Sequence, residues 1–214
     1  MNIRKYPANA GNVGGTRAAS GIRYIVIHYT GNDGDTAMNN AKYYASNVVK
    51  TSAHYFVDAK EVIQSVDDLR VAWAVGGNKY PSCPQTGGGT LHGRCLNANS
   101  ISIEICDAKK DGVYAPDARA VERALALTRE LMKKYNIPAS NVIRHFDVTG
   151  KLCPAYWSGN ENAGKWEKEF HGKLTAPDYR AQLQKRAGLT DGTMDYLSAY
   201  QYGDDLIRKL ATMR

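Results

Sequence analysis

The sequence predicts an α/β domain followed by a small helical appendage, and three stretches carry that reading. Residues 21–29 form a near-continuous β-branched run, Ile22, Tyr24, Ile25, Val26 and Ile27 among them, as in a central strand covered on both faces. Residues 99–106 alternate: Ile101, Ile103 and Ile105 share one face, and Ser102, Glu104 and Cys106 share the other. Residues 117–134 place Val121, Leu125, Thr128, Leu131 and Met132 on one stripe at helical spacing. At 214 residues the chain has room for one such domain and little more.

Taken in order, residues 1–21 are polar and glycine-rich and read as an arm lying on the domain. His28 closes the first apolar run just before the loop Thr30-Gly31-Asn32-Asp33-Gly34. A histidine inside a buried strand is usually a hydrogen-bonded core group, whereas one at the strand's C-terminal end is placed to line a site; position alone leaves both open. Thr36 can cap a helix carrying Met38, Ala41, Ala45 and Val48. Residues 52–57 and 61–66 read as a hairpin, with His54 and Tyr55 on opposite faces. Residues 76–99 are a long glycine-rich loop with Cys83 and Cys95 near its ends. A loop of that length is usually functional or an ordered insertion, and an Ω-like insertion closed by a Cys83–Cys95 disulfide outside the cell is expected. Cys83, His92 and Cys95 have a poor spacing for a second zinc site.

Pro116 is expected to open the long helix, Asp117 to support its positive end, and Lys133 and Lys134 to suit its C-terminus. Residues 141–144 read as a short strand delivering His145 at its end. Gly150 and Pro154 then bend the chain so that His145 and Cys153 can point into one space. A further helix spans about 161–170, with Trp157 and Trp166 to pack it down. From Pro177 the character changes to short helical segments near 179–187, 193–200 and 204–212. Residues 177–214 are too few for a comfortable core alone, so this appendage should dock, pair with a second copy or be steadied by a ligand. Tyr196, Tyr200 and Tyr202 could stack on sugars, although tyrosines at this spacing more often fill a small core.

Composition limits the function classes. Apolar residues make up 43% and no run approaches the ~20 needed to span a bilayer. The N-terminal charges precede no apolar segment, so no signal peptide is read and synthesis in the cytoplasm is expected. Residues 1–174 hold 22 Lys and Arg against 16 Asp and Glu, giving +6; the rest hold 6 against 5, giving +1. A basic domain favours a polyanionic partner, nucleic acid or bacterial wall polymer. Without a basic helix or a recognised nucleic-acid signature, nucleic acid is the weaker option. The four cysteines form no CxxC pair, which disfavours a zinc ribbon.

His28, Glu104 and the segment from His145 to Cys153 could all open on one edge of the sheet. His28, His145 and Cys153 would give zinc three protein ligands and leave a position for water, the arrangement of a catalytic site. Glu104 could then act as general base and acid, and Lys151 could steady an oxyanion: the parts of an amide hydrolase. The bland alternatives are a loop holding a chance His and Cys, and a solvent-facing Glu on an edge strand.

The pieces Ile25-Val26-Ile27-His28-Tyr29-Thr30, Ser52-Ala53-His54-Tyr55-Phe56-Val57, Asn99-Ser100-Ile101-Ser102-Ile103-Glu104 and His145-x5-Lys151-x-Cys153-Pro154 resemble, in order, the zinc-dependent type 2 N-acetylmuramoyl-L-alanine amidases. That family includes phage endolysins and peptidoglycan recognition proteins, and the resemblance covers about residues 20–172. It implies a central mixed β-sheet flanked by helices, with Zn2+ held by His28, His145 and Cys153. It implies Glu104 as catalytic acid, Lys151 near the scissile carbonyl, and His54 where many members place a catalytic tyrosine. Relatives often carry a histidine where this chain has Ala74 in Ala72-Trp73-Ala74-Val75-Gly76, which leaves one substrate contact without its usual residue. The implied activity is hydrolysis of the bond between N-acetylmuramic acid and L-alanine by a lysin released to the wall. Residues 1–174 would be the catalytic domain and 177–214 a wall-binding segment or a homodimer contact. The competing class is a non-catalytic peptidoglycan-binding module, from which the cysteine ligand is typically lost. A purely structural metal would need a fourth ligand, for which Cys106 is the candidate.

Overall fold

The computed structural model describes residues 1–110 and 112–213 and contains two compact units, Met1–Leu174 and Thr175–Arg214. The first runs through β1 (Arg4–Lys5), β2 (Val13–Thr16), β3 (Tyr24–Tyr29), α1 (Ala37–Ser46), β4 (Tyr55–Val57), β5 (Val62–Gln64), β6 (Arg70–Ala72) and α2 (Cys83–Thr86). It continues with β7 (Ser100–Ile105), β8 (Asp107–Lys110), β9 (Val113–Pro116), α3 (Ala118–Tyr135), β10 (Val142–Arg144), α4 (His145–Thr149) and α5 (Ala163–Glu169).

Six strands form one mixed sheet in the order β1-β5-β4-β7-β3-β10. Only the β4–β5 hairpin is antiparallel; the other neighbours are parallel. The β-branched run is therefore an interior strand, with Ile25, Val26 and Ile27 wholly buried. One face of the sheet carries Ile25, Ile27, Ile101, Ile103 and Ile105, and α3 seals it with Ala120, Ala124, Leu127 and Leu131. The other face is covered in two patches. At one end α1 lays Ala37 and Ala41 on Phe56 and Ile63. Toward the other edge Val75, Cys95 and Val148 cover Val26 and Ile143. His28 and Glu104 share this second face, two residues beyond Val26 and Ser102.

The N-terminal arm is part of the fold rather than a strap over it. β1 extends the main sheet, and β2 pairs with β6. Its Asn12 is fully buried: the side-chain amide donates to the carbonyls of Tyr44 and Asn47, and Oδ1 accepts from the N–H groups of Val49 and Lys50. That clamp ends α1 at Ser46, so Val48, expected on its apolar stripe, is exposed. Pro116 ends β9 instead of opening the long helix. Asp117 is the N-cap, its carboxylate accepting from the N–H groups of Arg119 and Ala120, a contact worth about 1 kcal/mol.

The 76–99 insertion is fastened to α4 through backbone hydrogen bonds, Tyr80 N–H to Thr149 O, Gly89 N–H to Phe146 O and Leu91 N–H to Asp147 O. No Cys83–Cys95 disulfide closes it. Both thiols are free and sit in separate surroundings: Cys83 points at the Thr149 carbonyl, and Cys95 lies among Val26, Val75 and Ile143.

The second unit is three helices, α6 (Tyr179–Ala187), α7 (Asp191–Ala199) and α8 (Gly203–Thr212). Leu183, Met194 and Ile207 form its buried centre, bordered by Leu189, Leu197 and Leu210. Arg180 links α6 to α7 through Asp195 and Ser198. The tyrosines that spacing favours as core are outside it: Tyr196, Tyr200 and Tyr202 are 80%, 58% and 62% exposed. Aliphatic side chains fill the centre instead. Among the described residues, no helix is long and apolar enough to cross a membrane.

Candidate metal centre

Parallel pairing of β3 and β7 sets His28 directly opposite Glu104. His28 is buried, and Glu104 brings Oε1 to 3.8 Å from its Nδ1 while keeping some exposure to solvent. His145 follows β10 as the first residue of α4, an element the sequence did not announce. Arg144 and Asp147 fix it. Asp147 accepts from the Arg144 N–H at 2.8 Å and takes the guanidinium at 2.7 Å, and the same guanidinium holds the Trp157 carbonyl. Gly150 then ends the helix at φ +84°, where a side chain would collide with the Cys83 sulfur. The Phe146 N–H donates to the Cys153 carbonyl at 3.0 Å, closing the loop so that Cys153 returns beside His145.

Three donor atoms, one each from His28, His145 and Cys153, lie within 4.8 Å of one another, and all three side chains are buried. The Cys153 sulfur is 3.8 Å from His28 Nδ1, and the two imidazole centroids are 4.7 Å apart. Metal bonds of about 2.0–2.3 Å at tetrahedral angles separate nitrogen and sulfur donors by roughly 3.3–3.8 Å, a spacing the Cys153–His28 pair has and the set as a whole, within 4.8 Å, exceeds by no more than about 1 Å. His145 Nδ1 and His28 Nε2 are buried and have no hydrogen-bond partner among the described residues. Burial, then the positive Lys151 nearby, pushes His145 down to about 4; burial, His145 and Lys151 hold His28 well below its usual range. Both rings are thus neutral at physiological pH, the state that can ligate a metal. Cys106 is not in this cluster. Its strand does lie beside that of His28, but its sulfur faces the Asn40 amide and α1.

His54 does not join the group. It is fully buried; Nδ1 accepts from the Ser102 N–H at 3.0 Å, while Nε2 lies 3.1 Å from the Arg70 carbonyl and 2.8 Å from the Arg17 guanidinium. Burial and that guanidinium push it down to about 3. Both ring nitrogens are committed to holding β4, β7 and the N-terminal arm together. Tyr55 faces the α3 side, where its hydroxyl donates to Asp68 at 2.6 Å. Lys151 lines a cavity of about 470 Å³ with His145, Thr149, Tyr80 and Lys79. Tyr80 and Lys79 escaped the sequence reading; the length and glycine content of their loop were its only signal.

The three buried histidines set the acid response. An unfolded chain takes up protons near pH 6.5, whereas the folded rings resist until about pH 4 and 3 for His145 and His54. Between those limits the unfolded state binds more protons, so stability falls as pH falls, by up to about 1.4 kcal/mol per pH unit for each ring. The melting temperature of the metal-free protein, followed by circular dichroism, should drop progressively from pH 7 to 4.5. His54→Gln should give a shallower slope, and a flat profile would contradict the buried-neutral assignment.

Residues 18–156 match the family model described as N-acetylmuramoyl-L-alanine amidase. The N-acetylmuramoyl-L-alanine amidase CwlL of Bacillus licheniformis is 34% identical over 64% of this chain and 37% of its own length. The amidase CwlA of a Bacillus species is 36% identical over 88% of this chain and 70% of its own. The chain spans about two fifths of the length of CwlL and of BlyA from Bacillus subtilis. Among solved structures, PlyL superimposes with a TM-score of 0.63 at 30% identity, over 82% of this chain and 98% of that one. The PlyG catalytic domain gives 0.62 at 32%, over 83% and 99%.

Proposed function

The chain belongs to the N-acetylmuramoyl-L-alanine amidase family, and on that footing we propose that it is a zinc-dependent peptidoglycan hydrolase cutting the amide between N-acetylmuramic acid and L-alanine. The observation that carries the proposal is the trio His28, His145 and Cys153 gathered within 4.8 Å beside the carboxylate of Glu104. Two neutral imidazoles and a thiol are a donor set zinc favours. An ion held there would supply Lewis acidity toward a carbonyl and an acidified water.

The remaining chemistry falls to the chain. Glu104, at the mouth of the cluster, is in position to take a proton from the attacking water and deliver it to the leaving nitrogen, so that the amide gives a carboxylate and a free L-alanine amine. Lys151, on the cavity wall next to His145, presents an ammonium to the carbonyl oxygen as it gains negative charge. His54 is assigned to positioning, since its ring is used up by Ser102, Arg17 and Arg70. The +6 charge of residues 1–174 suits an anionic wall.

For the second unit we propose attachment to the wall, with the exposed Tyr196, Tyr200 and Tyr202 as sugar-stacking surfaces. A protein lacking residues 177–214 should lose most binding to purified sacculi yet still hydrolyse small muropeptides; unaltered sacculus binding would remove this assignment. A second copy bound through these helices would instead appear as a concentration-dependent mass.

The decisive test is digestion of sacculi by the zinc-loaded protein, with mass spectrometry of the soluble products. New L-alanine amino termini, lost with a chelator and restored by zinc, are expected. Sacculus binding without cleavage would make the chain a recognition module.

A further inference from the structure

The wall of the cavity next to His145 that the 76–99 insertion supplies is the part of the site the proposed chemistry leaves unused. Residues 76–81 form it, opposite Thr149 and Lys151, and none of the cavity's lining residues is acidic. Two of them, Lys79 and Lys151, are cations with no ion-pair partner among the described residues. Lys79 is exposed, but part of its side chain is packed. Its aliphatic stem lies on Gly89, so close that a Cβ there would meet Lys79 Cε at 2.7 Å and Cγ at 3.1 Å. Gly89 itself is tied to α4 through the Phe146 carbonyl, and Tyr80, next to Lys79, through the Thr149 carbonyl. The backbone on which Lys79 sits and the glycine its stem packs on are thereby both fastened to the element that carries His145.

We propose that this cavity is an anion subsite in which Lys79 reads a free carboxylate of the stem peptide on the leaving side of the scissile amide. The inference rests on the amidase reading above. A lysine whose stem packs on Gly89, lining a cavity with a second cation and no acids, favours a negatively charged occupant over a neutral or positive one. The nearest negative group in a stem peptide is the α-carboxylate of the D-glutamyl residue that follows L-alanine, a group that exists in walls either free or as the carboxamide. The two forms are nearly isosteric, so a preference between them isolates the charge. Lys79 is then a specificity-determining residue, separate from the residues that perform hydrolysis.

Calorimetric titration of the zinc-loaded full chain with L-Ala-γ-D-Glu-L-Lys and with its D-isoglutamine counterpart tests this without relying on turnover. The carboxylate peptide should bind roughly tenfold tighter, consistent with one charge-assisted contact at a partly solvated site. Lys79→Met should bring the two within about twofold, and Lys79→Arg should keep the difference. Equal binding by the parent protein, or a carboxylate preference that survives Lys79→Met, would overturn the proposal. So would displacement of the peptide by millimolar inorganic phosphate in a Lys79-dependent manner, which would make this a phosphate site for wall polymer. Peptide discrimination without cleavage of muropeptides would leave the subsite standing and remove the amidase reading instead.

Discussion

Replacing Cys153 with alanine should give a folded protein that neither retains zinc nor solubilises sacculi. The thiol is one of three donors and sits 3.8 Å from His28 Nδ1, so its loss leaves two imidazoles, too few for a stable site. Removing a group that only orients a ligand weakens metal binding by about 10–100-fold, so deleting a ligand should cost more than ~10². The fold should survive, because the loop is closed through the backbone of Phe146 and Cys153 rather than through the sulfur. Truncating one buried thiol leaves only a small cavity. Cys153→Ser guards against a packing artefact, since it keeps the side chain's shape while offering an oxygen that binds zinc poorly. Zinc content by mass spectrometry of the intact protein and release of stem peptides should fall together in both variants. Full lysis by a metal-free Cys153→Ala protein would end the zinc assignment.

The stretches that read correctly are those whose environment is written within a few residues. The run ending at His28 has no polar residue between Tyr24 and His28, and it is the interior strand. The alternation through Glu104 set the isoleucines against α3 and the carboxylate against His28 because a strand has only two faces. The helix from 118 to 135 likewise carries its buried stripe in its own spacing. What escaped depends on partners distant in the chain. Asn12 ends α1 from 35 positions away, which no local pattern around Val48 discloses. His54 and Tyr55 were separable only as opposite faces. The choice was made by Arg17, Ser102 and Asp68, which occupy one ring and one hydroxyl completely. Cys83 and Cys95 looked pairable because they bracket a loop, but that loop is held to α4 by backbone hydrogen bonds and needs no covalent closure.

The same reasoning makes Glu104 the sharpest test of mechanism. Glu104→Gln keeps the size and polarity of a side chain that lies across from His28, but removes its capacity to accept and return a proton. If Glu104 only braced His28 at 3.8 Å, the carboxamide could still do so, and rate and zinc content would change little. If it carries the proton from water to the leaving amine, the rate should fall by ~10² or more, the usual magnitude of general acid–base catalysis. Zinc stoichiometry and melting temperature should stay near those of the parent protein. A coincident loss of zinc and activity would place Glu104 in support of the metal ligands, whereas loss of activity with zinc retained places it at the reacting atoms.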